Sequence, residues 1–207
     1  ASRPYFIRNF RFEAQIIARL EHLHIVPLYD FWQESGGAYI VMRWLRGGSL
    51  HKKLKKGPLP VDVAAQILEQ IASALQVAHQ NSVIHQDLKA ANILLDDVGN
   101  AYLTDFGIAK DLKGEEEVDP DDPDNIVRGS PEYMSPEQIL NTPVDARTDI
   151  YSLGILLYEM LTGSTPFQAE DDQEVLRLQL YEKLPLLQTH NKELPDVFNM
   201  VIQRATD

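Results

Sequence analysis

The chain has 207 residues, of which 31 are acidic and 19 are lysine or arginine, giving a formal net charge of −12. This balance argues against a general binder of nucleic acids or of anionic membranes. With 44% hydrophobic and 24% charged residues, the composition is typical of a globular chain that buries a real core. The absence of cysteine excludes disulfides and thiolate metal sites, and it fits a cytoplasmic location.

The N-terminal part predicts one helix followed by a β-hairpin. Apolar residues recur at helical spacing over residues 5–20. Glu13 lies on this predicted helix, where it is interpreted, from this segment alone, as an ordinary surface glutamate. Residues 25–31 and 38–44 predict two strands joined by a glycine-containing turn.

A connector and two helices are predicted next. Two glycines follow the second strand, and Ser49 is a candidate N-cap for a short helix over residues 50–55. The lysines of this helix are interpreted as its solvent-facing side, with a partner-binding patch as the alternative: Lys52, Lys53, Lys55 and Lys56. Residues 61–80 carry a strong amphipathic pattern and predict a long helix. His79, at its end, is interpreted as a packing or capping group.

The C-terminal half predicts a mainly helical body. Residues 148–162 are apolar nearly all round, which predicts a buried helix that ends at Gly163. Further helices are predicted over residues 172–182 and 194–206. Residues 110–128 lack periodicity and are rich in acidic residues, which predicts a mobile, solvated loop.

The stretch from Val83 to Gly107 holds two acids, a lysine and an asparagine in a fixed order: Asp87, Lys89, Asn92 and Asp105. Two short apolar runs lie between them, and residues 96–100 predict the turn of a hairpin. Because a hairpin brings its two ends to the same side, we expect these side chains to lie close together. The alternative is a surface hairpin whose charges are only solvated.

Five ordered motifs carry a resemblance to a known family: residues 85–92, 105–107, 135–137, 149–154 and 163–167. The sequence resembles a eukaryotic-type protein kinase, in the style of the bacterial serine/threonine kinases, over nearly its whole length. The resemblance implies an α+β, bilobal fold. It divides the chain into a partial small lobe with a helix and a β-hairpin, a hinge, and a mainly helical large lobe: residues 1–42, 43–48 and 49–207.

The resemblance implies ATP as phosphoryl donor, Mg²⁺ as cofactor and a catalytic role for the polar cluster. Asp87 would accept or orient the proton of the substrate hydroxyl. Lys89 would lie by the γ-phosphate as a point charge, a pattern typical of serine/threonine specificity. Asp105 would hold Mg²⁺, which prefers one or two carboxylates together with phosphate oxygens, and Asn92 would hold a second Mg²⁺.

Residues around this cluster have supporting roles in the resemblance. Ser130 stands where the family usually has threonine, and it is expected to contact Asp87 and frame the acceptor site. Asp149 would anchor the backbone of the catalytic loop from the buried helix. His85 and Phe106 would belong to a stack of side chains that aligns the two lobes.

The resemblance also implies which residues form the nucleotide-binding side of the site. Glu13 matches the helix glutamate that pairs with the ATP-binding lysine. Met42 matches the residue at the back of the adenine pocket, and Leu94 is assigned to the same pocket. Arg43 and Leu45 bound the hinge segment whose backbone hydrogen-bonds adenine.

Several features depart from the family pattern. No glycine-rich loop and no strand lysine precede Glu13, and the arginine that usually pairs with Glu137 is expected beyond Asp207. We therefore expect a chain truncated at both ends, with little activity on its own and with Glu137 as an unpaired buried charge. Gln86 replaces the usual arginine beside the catalytic aspartate, and residues 108–129 contain no Ser, Thr or Tyr. Because both the arginine and any phosphate acceptor are absent, we expect the activity of the intact kinase not to depend on phosphorylation of that segment.

The sequence therefore predicts a fragment of a serine/threonine protein kinase that acts on a protein hydroxyl, without a nucleic-acid partner or a membrane segment. The alternative is a pseudokinase, a binding module that keeps the fold and signals by contact. We expect a cytoplasmic location for this segment, whether or not the whole protein is membrane-anchored.

Overall fold

The computed structural model describes residues 17–34, 37–106 and 130–207. The predicted helix over residues 5–20 therefore lies mostly outside the described residues, together with Glu13. The acidic segment 110–128 and Gly107 also lie outside them.

The predicted N-terminal hairpin is confirmed, with shifted bounds. Strand β1 (Leu28–Glu34) pairs antiparallel with β2 (Gly37–Met42), and Trp32 stands opposite Tyr39. The first strand begins three residues later than predicted because Pro27 has no N–H to donate to a ladder. The residues before it leave the hairpin, and the amide of Val26 donates to the carbonyl of Leu103 at 2.9 Å.

A second sheet contains the hairpin whose turn was predicted at residues 96–100, which is the central hairpin of the chain. Its strands, in the order β3-β4-β5, are Gly48–Ser49, Ile93–Leu95 and Ala101–Leu103, and both pairs are antiparallel. Asp96 closes the predicted turn, since its Oδ1 accepts the amides of Val98 and Asn100 at 3.0 and 2.9 Å. At Gly47 a Cβ would lie 2.5 Å from the carbonyl oxygen of Asp96, so the connector needs a glycine to pass the hairpin.

The described chain also contains six α-helices. Their bounds agree with the sequence-based predictions to within a few residues, and a short helix after Ser135 is added: α1 (Leu50–Leu54), α2 (Val61–Gln80), α3 (Pro136–Ile139), α4 (Ala146–Thr162), α5 (Asp172–Tyr181) and α6 (Val197–Thr206). Helix α4 begins two residues early because Asp145 caps it, accepting the amide of Arg147 at 2.8 Å. It ends at Gly163, whose φ of 85° is left-handed.

The core lies between α2, α4 and the central hairpin. Helix α4 is buried nearly all round, as predicted, and contacts both α2 and α6. The apolar stripe of α2 contributes Ile67, Ile71 and Leu75, each of which is at most 1% exposed. This arrangement confirms an α+β fold in which a buried helix supports the polar end of the hairpin.

Within the described ranges, no helix has the length and apolar character needed to cross a bilayer.

Candidate active site

Asp149 holds the loop that leads to Asp87. This carboxylate is fully buried in the first turn of α4. Its two oxygens accept the backbone amides of His85 and Gln86, each at 2.8 Å. Nε2 of His79 also lies 2.7 Å from Oδ2, so the histidine at the end of α2 belongs to the same network. The loop is thus tied to the most buried helix of the protein.

His85 is a buried, neutral imidazole. Its Nδ1 accepts the amide of Asp87 at 3.2 Å, so the ring hydrogen lies on Nε2, which donates to the carbonyl of Thr104 at 2.9 Å. Burial lowers the pKa of His85, against the opposing charge of Asp149. The ring packs on Phe106, with 4.9 Å between the ring centroids. His85, near the start of the stretch from Val83 to Gly107, therefore contacts Thr104 and Phe106 near its end.

One carboxylate oxygen of Asp87 is held by neighbouring side chains, and the other has no hydrogen-bond partner among the described residues. Oδ2 accepts a hydrogen bond from Asn92 Nδ2 at 3.0 Å and lies 2.9 Å from Lys89 Nζ. No hydrogen bond to a described residue involves Oδ1. A half-buried carboxylate held in this way can accept a proton from a hydroxyl placed against its free oxygen.

Ser130 reaches this cluster through the lysine. Lys89 Nζ donates to Ser130 Oγ at 2.9 Å and pairs with Asp87 at the same distance. The expectation of a direct contact between Ser130 and Asp87 is replaced by a bridge through the ammonium group, because Lys89 lies between them.

Asn92 and Asp105 are candidate oxygen ligands on neighbouring stretches of backbone. The amide of Thr104 donates to the carbonyl of Asn92 at 3.0 Å, which brings the residue before Asp105 against Asn92. The carboxylate of Asp105 is exposed on a residue with φ of 59°, between buried neighbours. No described hydrogen bond uses Oδ1 of Asn92. Carboxylate and amide oxygens are hard ligands of the kind that Mg²⁺ accepts, so these two residues would fit the predicted metal role.

The residues assigned to the adenine pocket come together. Val26, Leu45 and Tyr102 form a small buried cluster, against which Met42 and Leu94 pack. This places one apolar surface beside the polar cluster, since Thr104 Oγ1 contacts the sulfur of Met42 at 3.6 Å.

The predicted hinge has free backbone groups. The amide of Arg43 donates to the carbonyl of Pro27 at 3.0 Å, and its guanidinium lies 5.4 Å from the centroid of the Tyr102 ring. The carbonyl of Arg43 and the amide of Leu45 form no hydrogen bond with described residues. An acceptor and a donor therefore remain for the edge of a planar base.

Glu137 differs from expectation. It is half-buried rather than buried, and its carboxylate accepts a hydrogen bond from the hydroxyl of Thr148 on α4. The carbonyl of Glu137 also accepts the amide of Thr142 at 2.9 Å. The expected cost of an unpaired buried charge is reduced because this side chain is partly exposed and accepts a hydrogen bond from Thr148.

Two polar links were missed by the sequence interpretation. Gln138 Nε2 donates to the carbonyl of Gln86 at 2.8 Å, and the Tyr133 hydroxyl donates to Glu159 on α4. The pattern Ser135-x-x-Gln138 is a capping-box signal for a helix start and could have identified α3. Nothing in the sequence indicates that the same glutamine reaches the catalytic loop.

Comparison with known proteins gives the class of this fold and site. The model of the protein kinase domain family matches residues 3–206. The chain therefore belongs to the protein kinase domain family, in agreement with the predicted fold.

The similar curated proteins are named as serine/threonine kinases. Serine/threonine-protein kinase PrkC of Bacillus subtilis is 40% identical over 202 residues, which are 97% of this chain and 31% of that protein. PknL of Mycobacterium tuberculosis is 31% identical over 207 residues, covering all of this chain and 51% of the relative. Human ULK3 is 34% identical over 204 residues, which are 96% and 42% of the two proteins. The chain thus spans between about a third and a half of these relatives.

Proposed function

We propose that this chain is the catalytic core of a serine/threonine protein kinase that transfers the γ-phosphoryl group of ATP to a protein hydroxyl. The main support for the proposal is the way in which the carboxylate of Asp87 is held. Asn92 and Lys89 hold its Oδ2, and its Oδ1, which has no hydrogen-bond partner among the described residues, can meet a substrate hydroxyl. The relatives' names support serine and threonine as acceptors.

In this proposal each polar side chain of the cluster has its own role in the reaction. Asp87 accepts the hydroxyl proton as the new oxygen–phosphorus bond forms and the bond from the γ-phosphorus to the oxygen of the departing ADP breaks. Lys89 supplies positive charge next to both the base and Ser130, where negative charge develops on the phosphoryl oxygens. Asn92 and Asp105 hold Mg²⁺, which, when bound, neutralises the phosphate oxygens.

The apolar cluster and the free hinge groups bind the nucleotide. We assign Met42, Leu45 and Leu94 to the walls around adenine, with the carbonyl of Arg43 and the amide of Leu45 at its edge. The domain division follows, with the small lobe at residues 1–42, the hinge at 43–48 and the large lobe at 49–207. Glu13 is assigned the pairing with an ATP-binding lysine.

The test measures transfer of γ-phosphate by the natural protein that carries this sequence, with matched serine, threonine and tyrosine peptides. We expect Mg²⁺-dependent labelling of the serine and threonine peptides, lost on addition of a chelator. Asp105→Asn should remove it, whereas Asp97→Asn, at an exposed turn position, should not. ATP binding without transfer to any peptide would contradict the proposal and support the kinase-like binding module instead.

A further inference from the structure

Gln138 joins two segments that lie far apart in sequence. Its Nε2 donates to the carbonyl of Gln86 at 2.8 Å, and its Oε1 accepts the amide of Ser135 at 3.2 Å. The orientation of this side-chain amide is fixed by its partners, because a carbonyl can only accept and a backbone amide can only donate. Each end of the glutamine side chain therefore has one defined role.

The carbonyl that Gln138 holds belongs to the peptide unit that leads into Asp87. The N–H of the same peptide unit donates to Nδ1 of His85 at 3.2 Å. Both polar atoms of this peptide are thus restrained, one by His85 and the other by Gln138. Because this plane sets the direction in which the Asp87 side chain leaves the backbone, its two restraints set where the carboxylate points.

Gln86 needs such restraint. Its φ of 62° is left-handed, a conformation that is unfavourable for a residue with a side chain. On its N-terminal side the amide is held by Asp149 at 2.8 Å. On its C-terminal side, the hydrogen bond from Gln138 adds to the one between Asp87 and His85, and it comes from a different segment.

That segment is itself anchored to the helical body. Thr148 of α4 donates to Glu137, and Ser152 Oγ donates to the carbonyl of Tyr133 at 2.8 Å. Gln179 Nε2 of α5 donates to the carbonyl of Glu132 at 2.7 Å. The same segment begins at Ser130, which contacts Lys89 in the polar cluster.

We propose that Gln138 is a positioning residue that couples the segment from Ser130 to Leu140 to the orientation of Asp87. A shift of this segment is transmitted to the catalytic carboxylate through the Gln86 carbonyl. The proposal rests on the proposed kinase function for its catalytic consequence, whereas the mechanical coupling is a property of this chain alone.

Gln138→Glu separates the two roles of the side chain. Glutamate keeps the oxygen that accepts the Ser135 amide and is itself a capping-box residue, but it cannot donate to the Gln86 carbonyl when ionised. The matched control is Gln173→Glu, an exposed position in α5 that gives the same change in charge. Gln138→Ala removes both roles and reports what loss of the cap does.

Two readouts are needed. In this chain, we expect amide hydrogen exchange of residues 85–89 to become about tenfold faster in Gln138→Glu, as for loss of one hydrogen bond. In the natural protein, kcat should fall by roughly ten- to a hundredfold while KM for ATP stays within about twofold, as expected for a misplaced base. Gln173→Glu should change neither quantity.

Three outcomes of these experiments would count against the coupling or against the proposed function. Unchanged exchange at residues 85–89 in Gln138→Glu overturns the coupling. Faster exchange throughout the chain, with a fall in Tm equal to that of Gln138→Ala, also overturns it, because the role is then only structural. Absence of transfer by the wild-type protein counts against the proposed function, and the exchange measurement still decides the coupling.

Discussion

The side-chain amide of Asn92 binds Asp87 twice. Its Nδ2 donates to the backbone carbonyl of Asp87 at 2.8 Å and to the carboxylate oxygen Oδ2 at 3.0 Å. The same side chain leaves its Oδ1 without a partner among the described residues. The amide nitrogen of Asn92 therefore orients the proposed base, and the amide oxygen at the opposite end is the proposed metal ligand.

Asn92→Ala should impair both roles. We expect phosphoryl transfer to fall by about a hundredfold or more, because both base orientation and a metal ligand are lost. The Mg²⁺ concentration at half-maximal rate should rise. The control is Asn81→Ala, which removes an exposed side chain bonded to the carbonyl of Val77. An unchanged Mg²⁺ dependence in Asn92→Ala would contradict the metal assignment.

Asp149→Asn should destabilise the protein. The buried carboxylate accepts two backbone amides, and an amide side chain must present an NH₂ group to at least one donor. We expect the free energy of unfolding in urea to fall by about 2–4 kcal/mol. Asp97→Asn, at an exposed position, should change it by less than about 0.5 kcal/mol. Equal values for the two variants would show that Asp149 does not anchor the loop.

His85 predicts a pH dependence of stability. Burial lowers the pKa of His85 in the folded protein, so the unfolded chain binds the proton more readily. This stability is present above the unfolded pKa, about 6.5, and is lost as pH falls from there through the lower folded value. Urea titrations between pH 5 and 8, for the wild type and His85→Gln, check this. The slope below about pH 6.5 should be smaller in His85→Gln, and identical slopes would refute it.

Tyr133→Phe removes the donor to a buried carboxyl group. Burial raises the pKa of Glu159, and the Tyr133 hydroxyl opposes this rise. A raised folded pKa means stability that is lost as pH rises through that value. We therefore expect Tyr133→Phe to cost about 1–3 kcal/mol at pH 7.5 and less at pH 5. The measurement is the free energy of unfolding at both pH values, and a cost that increases at pH 5 would contradict this account.

Local pattern was enough to predict most of the helices and both hairpins. Helix α2 begins at Val61 and ends at Gln80, as its amphipathic spacing predicts, because the pattern and the capping signals act within one segment. The turn at Asp96 follows from the same local chemistry. Strand β3 was not predicted, since two residues pair there only because Gly47 lets the chain pass close to Asp96.

The sequence predicted that Asp87, Lys89 and Asn92 lie close together, but it did not predict which other segments contact them. The order of Asp87, Lys89, Asn92 and Asp105 was enough to group them. The bridge from Lys89 to Ser130 spans 41 residues and the bond from Gln138 to Gln86 spans 52, so both depend on how distant segments pack. A sequence without its tertiary arrangement offers no signal for which donor meets which carbonyl.

Asp87→Asn, assayed for ATP binding and for phosphoryl transfer beside the wild type, shows whether this carboxylate is the base. This substitution removes the base and keeps the size of the side chain. We expect ATP affinity and Tm to match the wild type, and the transfer rate to fall by about a hundred- to a thousandfold. Transfer at the wild-type rate by Asp87→Asn would show that this carboxylate is not the base, and would contradict the account.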